Sequence, residues 1–245
     1  GESVTCTGTG SCTRAFFRRI GGRTVFVANG QGDNAGSRPV VILLHGTNIA
    51  SWTAFCANNS NLGLDNKAKM VKNLVNAGYT VVAPQTAWGD SVQFPICFKK
   101  GATDKCYNQW RSYYGPESST GSSNIDLWTV PLDTGSTSSR CASSNGVKPD
   151  PACVDKQFFS ALMTDNTLFP ENNNNGVILI GFSSGGYMVS RLIAGCHNLN
   201  ESGIECPEIM AAVINSAGYY KWPHNYYGDV SSTTFPRING DYFTH

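Results

Sequence analysis

Short apolar runs, each closed by turn-forming residues, mark out a chain that alternates between strands and helices. Thr24 to Ala28 reads as a strand, ended by the turn-forming run Asn29 to Asn34. Pro39 to Leu44 is continuously apolar and β-branched, the pattern of a strand buried on both faces of a parallel sheet. A helix is expected from Asp65, a candidate cap, to Ala77. Met70, Val71, Leu74 and Val75 form its apolar stripe, and Gly78 stops it. Tyr79 to Ala83 follows at once as a strand closed by Pro84. Strand, helix and strand with short joints make a βαβ unit, whose crossover is right-handed.

Residues 86–150 break this rhythm with a Ser/Thr/Gly-rich insert that holds Cys97, Cys106 and Cys141. So long an irregular stretch reads as an excursion above the sheet, because Trp88, Trp110, Tyr113, Tyr114 and Trp128 need somewhere to pack. The alternation then resumes. Cys153 to Asp165 is helical, with Phe158, Phe159 and Leu162 on one side; Gly176 to Ile180 is a strand, Gly186 to Ala194 a helix and Met210 to Ile214 a strand. Beyond Gly218 the sequence turns aromatic and polar as far as His245. No internal repeat is visible, and the 245 residues suit a single α/β domain. Its expected architecture is a doubly wound, mostly parallel sheet with helices on both faces.

Composition narrows the function. Hydrophobic residues make up 40% and charged residues 14%, enough apolar material for a sizeable core. The net charge of +1 without a basic block points away from nucleic acid and from anionic membrane surfaces. Apolar runs such as Val40 to Leu44 and Val177 to Ile180 are too short to span a bilayer. Nine cysteines lack the paired spacing of a metal site, so no metal or other cofactor is expected and disulfides are favoured. Disulfides imply a secreted, extracellular setting, and the sequons at Asn58 and Asn200 are compatible with it. The polar start Gly1-Glu2-Ser3 reads as a processed N-terminus. Near-neighbour spacing pairs Cys97 with Cys106, Cys141 with Cys153 and Cys196 with Cys206. A guess at Cys6 with Cys12 leaves Cys56 over, free or bonded to something outside the chain.

The chemistry lies at Gly181-Phe182-Ser183-Ser184-Gly185-Gly186, a G-x-S-x-G run between a buried strand and a helix. In that context Ser183 sits on a sharp turn that lifts its hydroxyl above the sheet as a nucleophile. The helix N-terminus behind it offers the Ser184 amide to a developing oxyanion. The strand ending at Leu44 runs into His45-Gly46-Thr47, where the Thr47 amide makes a second oxyanion donor and His45 braces the loop.

Leu43-Leu44-His45-Gly46, Gly181 to Met188, and Cys206-Pro207 ahead of Ala211-Ala212-Val213 resemble the extracellular polyhydroxybutyrate depolymerase and feruloyl esterase group. The resemblance runs from about Val40 to Gly218 without the insert. It implies an α/β-hydrolase fold, secretion, disulfides and a Ser-His-Asp triad acting on esters, with Ser183 as nucleophile. The expected activity is hydrolysis of a carboxylic ester of a polymer or of a polymer-linked acid. A non-catalytic extracellular structural or recognition domain is the alternative.

The triad order of this fold is serine, acid, histidine, and one strand alone follows the elbow here. His224 and the pair Asp241 and His245 are the candidates for base and acid. His197, at the end of the elbow helix, suits a surface role. The expectation is a sheet truncated after the strand that follows the elbow. A further C-terminal segment or a second polypeptide would then supply the missing strands.

Overall fold

The computed structural model describes residues 13–46, 49–56, 64–86, 154–170, 175–197 and 203–215, with Trp110 and the strand residues 96–100, 103–107, 114–116 and 124–126. In chain order the elements are β1 (Phe16–Ile20), β2 (Arg23–Ala28), β3 (Val40–Leu44), a short 3-10 turn (Ser51–Ala54), α1 (Leu64–Asn76) and β4 (Val81–Pro84). Then come β5 (Ile96–Lys100), β6 (Thr103–Tyr107), β7 (Tyr114–Pro116), β8 (Asn124–Asp126), α2 (Asp155–Met163), β9 (Val177–Phe182), α3 (Ser184–Cys196) and β10 (Ile209–Asn215).

Six strands form one mixed sheet in the order β1-β2-β4-β3-β9-β10. The pairs β4–β3, β3–β9 and β9–β10 are parallel, while β1–β2 and β2–β4 are antiparallel. Alternation along β3 sends its side chains to two separate cores. Val40, Ile42 and Leu44 join Phe158 and Leu162 of α2 and Met188 and Leu192 of α3 on one face. Val41 and Leu43 join Val71 and Val75 of α1 on the other. Helices therefore cover both faces, and a buried β3 (every residue buried) follows from that double burial.

Several boundaries differ from the pattern reading. β1 carries no apolar alternation because it is an outer strand with Arg18 and Arg19 in it. The available signal was Gly21-Gly22, whose φ angles of 52° and 78° make the two-residue turn that joins it to β2. α1 begins at Leu64, so Asp65 lies in its first turn and is not the cap. α3 begins at Ser184, two residues earlier than expected. The insert contains two hairpins, β5–β6 and β7–β8. Its Trp110 is buried, with its ring 5.3 Å from Phe159 and stacked 6.5 Å from Phe158 of α2.

Arg23, at the start of β2, and Asp155, at the start of α2, form a buried ion pair at 2.5 Å, exposed by only 2% and 4%. The guanidinium also lies 4.5 Å over the Phe158 ring. Asp155 is well placed in the first turn of its helix, where the dipole favours a negative charge.

The expected Cys196–Cys206 disulfide is present and ties the end of α3 to the approach to β10, closing a loop of sequence separation 10. Cys97 faces Cys106 in the β5–β6 register. Cys56, which the spacing scheme left over, is disulfide-bonded. Cys141, Cys153, Asn58 and Asn200 lie outside the described residues. Replacing Cys196 and Cys206 together by serine is expected to lower stability by about 2–3 kcal/mol, read as a lower denaturant midpoint.

Among the described residues β10 is the outer strand, with Met210 and Val213 exposed by 47% and 46%. No helix among them is long and apolar enough to cross a membrane.

Candidate active site

The order of the strands determines where a crevice opens. The chain leaves β3 through α1 toward β4 on one side, and leaves β9 through α3 toward β10 on the other. Because β3 and β9 are parallel neighbours with their crossover helices on opposite faces, the sheet switches winding direction between them. Loops leaving the carboxyl ends of two such strands diverge and leave a crevice, the general ligand position of open α/β sheets. His45-Gly46 follows β3 there, and Ser183 follows β9.

Ser183 is held in an unusual backbone conformation, φ 52° and ψ −119°, and among the described residues no other non-glycine has a positive φ. Such strain costs of order 1–3 kcal/mol and persists where the surroundings over-determine it. Here they do. The Ser183 amide donates to the Asn215 carbonyl of β10 at 2.9 Å, and its carbonyl accepts from the Gly186 amide at 2.8 Å. A Cβ on Gly181 would lie 2.3 Å from the Gly185 carbonyl oxygen, and one on Gly185 would lie 2.4 Å from the Leu44 oxygen. The glycines of the motif are thus steric necessities of the turn. The Ser183 side chain is on the exposed side of it. Among the described residues the Ser184 amide, at the start of α3, donates to no backbone carbonyl.

The loop after β3 closes on this turn. A Cβ on Gly46 would stand 3.2 Å from the Phe182 carbonyl oxygen and 3.3 Å from the Ser183 Cβ. Thr47 lies outside the described residues, as do His224, Asp241 and His245. His197 sits past the last turn of α3, about 20 Å along that helix from the serine.

His45 is buried and both ring nitrogens are engaged. Nδ1 lies 2.8 Å from the Gly46 carbonyl oxygen and so carries the proton; Nε2 then accepts from the Gln85 side-chain amide at 3.3 Å. Gln85 Oε1 accepts from both the Ser51 amide and the Ser51 hydroxyl, each at 2.8 Å. The Trp110 indole donates to the His45 carbonyl at 3.0 Å, with the rings 5.1 Å apart. This network braces the loop, and it occupies the imidazole. The roles of Gln85, Ser51 and Trp110 escape a pattern reading. The available signal was a polar pair, Gln85-Thr86, directly after the fully buried strand β4.

Burial pushes the His45 pKa from 6.5 down to about 4, with a smaller push from the Lys67 charge, against the hydrogen bond to Gly46. Between those values the unfolded chain binds a proton that the folded one does not. Stability is therefore expected to be complete above pH 6.5 and to fall by about 3 kcal/mol as pH drops to 4. Urea unfolding across that window should show the slope, and His45→Gln should remove this part of it.

Beside His45, on the α1 side of the sheet, a small cavity is lined by Leu43, His45, Ile49, Ser51, Lys67 and Phe182. Lys67 Nζ lies 4.2 Å over the Phe182 ring, and burial lowers the lysine pKa.

No known family profile and no curated protein sequence matches the chain. Among solved structures it is similar to an epoxide hydrolase from Vigna radiata, at 16% identity and a TM-score of 0.37, covering 81% of this chain. The chain spans 38% of that protein's length. The likeness is loose and no statement about activity follows from it. What the sheet order and the turn at Ser183 display is a mixed α/β architecture consistent with an α/β-hydrolase-like fold.

Proposed function

We propose that the protein is a secreted serine hydrolase that cleaves carboxylic esters of a polymer or of a polymer-linked acid, in the manner of polyhydroxyalkanoate or feruloyl esters. The observation that carries the reading is the strained Ser183 on the strand-to-helix turn at the switch point between β3 and β9. Only a demand for an exposed hydroxyl there accounts for a serine where glycine would be unstrained.

In this mechanism Ser183 Oγ attacks the ester carbonyl while a histidine takes its proton. The Ser184 and Thr47 amides hold the oxyanion, and water then releases the acyl group. His45 is excluded as the base by its committed nitrogens, and His197 by its distance. The base is His224 or His245, the latter with Asp241 ahead of it, or a histidine of a second polypeptide seated beside β10. Secretion is supported by the Cys196–Cys206 bond and the bonded Cys56.

Labelling with a fluorophosphonate, followed by peptide mapping, tests the proposal without knowledge of the substrate. Adduct on Ser183 is the expected result. Protein that is folded by circular dichroism yet unlabelled, both alone and as isolated from its natural source with any bound polypeptide, would leave the non-catalytic recognition domain as the reading.

A further inference from the structure

The cavity beside the elbow has a chemical signature of its own. Of its polar groups, the Ser51 hydroxyl donates to Gln85 and the Thr53 hydroxyl donates to the Ala50 carbonyl at 2.6 Å. His45 is committed on both nitrogens. Lys67 differs. Among the described residues its ammonium has no carboxylate partner and no hydrogen bond, and it lies over the face of the Phe182 ring.

An ammonium half removed from water without a counter-charge is unfavourable, and the cation–π contact offsets only part of that. Its position in the helix adds to the cost. Lys67 lies in the first turn of α1, where the dipole favours anions over cations. Neither packing nor helix stability explains a lysine there. The cavity borders the elbow through Ile49, which lines it with Phe182: a Cβ on Gly46 would meet both the Ser183 Cβ, at 3.3 Å, and the Ile49 Cδ1, at 3.6 Å.

We infer that Lys67 is an anion-recognition group of the crevice, and that the ester cleaved at Ser183 carries a free carboxylate whose apolar stem rests on Phe182 and Ile49. This rests on the serine hydrolase reading and adds the substrate class. The carboxylate completes the ion pair that the fold leaves open, and the apolar walls around it raise the strength of that pairing.

The test compares two activated esters of similar size, the p-nitrophenyl hemiester of succinate and p-nitrophenyl butyrate. Wild type should prefer the charged ester by kcat/KM, and Lys67→Met should lower that preference by about 10- to 100-fold, the scale of a charge-assisted hydrogen bond. Lys67→Arg should keep most of it. A preference ratio unchanged in Lys67→Met would overturn the inference. A second measurement separates this from failure of the serine assignment. Calorimetric binding of monomethyl succinate to the Ser183→Ala protein needs no turnover, and it should be detected with Lys67 present and lost with methionine in its place. Binding that survives in the Ser183→Ala, Lys67→Met protein overturns the inference whatever the labelling of Ser183 shows.

Discussion

Ser183→Ala is expected to lower ester turnover by about 10⁴-fold or more and to abolish fluorophosphonate labelling. The hydroxyl forms the covalent bond, and what survives without it is the contribution of the oxyanion amides and of substrate binding. Ser183→Gly sharpens the test. It should be equally inactive, yet more stable than wild type by about 1 kcal/mol, because glycine adopts φ 52° without strain. Loss of activity with gain of stability is the signature of a residue kept for chemistry. Denaturant midpoints beside steady-state rates check both halves. A Ser183→Ala protein that retains a tenth of its turnover would mean that another group attacks the ester.

Asp155→Ala is expected to destabilise the fold by about 3–5 kcal/mol, out of a total that is about 5–15 kcal/mol for domains in general. The carboxylate is buried against Arg23, and its removal takes the ion-pair partner from a guanidinium held in the interior over the Phe158 ring. The loss strikes where α2 meets the start of β2, so it should loosen the seat of Trp110 on Phe158 and Phe159 as well. The double variant Arg23→Met, Asp155→Leu should recover most of the stability, since a buried pair replaced by apolar residues leaves no orphaned charge. Chemical denaturation followed by tryptophan fluorescence reads both variants. A change below about 1 kcal/mol in Asp155→Ala would mean that water reaches the pair.

Those parts of the site that depend on neighbours in sequence were legible early. The G-x-S-x-G run announces its turn because Gly181 and Gly185 are required by contacts within the turn and with the adjoining strand end. The βαβ unit through β3, α1 and β4 was readable from its periods. So was the Cys196–Cys206 bond, from its spacing. β1 was not readable, since an outer strand with one solvated face tolerates arginines where an inner strand does not. The partners of His45 were hidden for another reason. Gln85 and Trp110 are 40 and 65 residues away in sequence, and no local pattern encodes such contacts.

The sequence by itself determined the alternation of strands and helices, the position of the sharp turn at Ser183 and the disulfide after α3, because each follows from steric or periodic constraints within a short stretch. Only the tertiary structure decided that β3 and β9 are parallel neighbours, and with that the switch in winding that opens a crevice beside the serine. It also decided the state of two ionisable groups. His45 is neutral, and the pKa of Lys67 is lowered, because burial removes the water that would otherwise stabilise the charged form. That desolvation depends on everything packed around a side chain and not on the residues beside it in the chain.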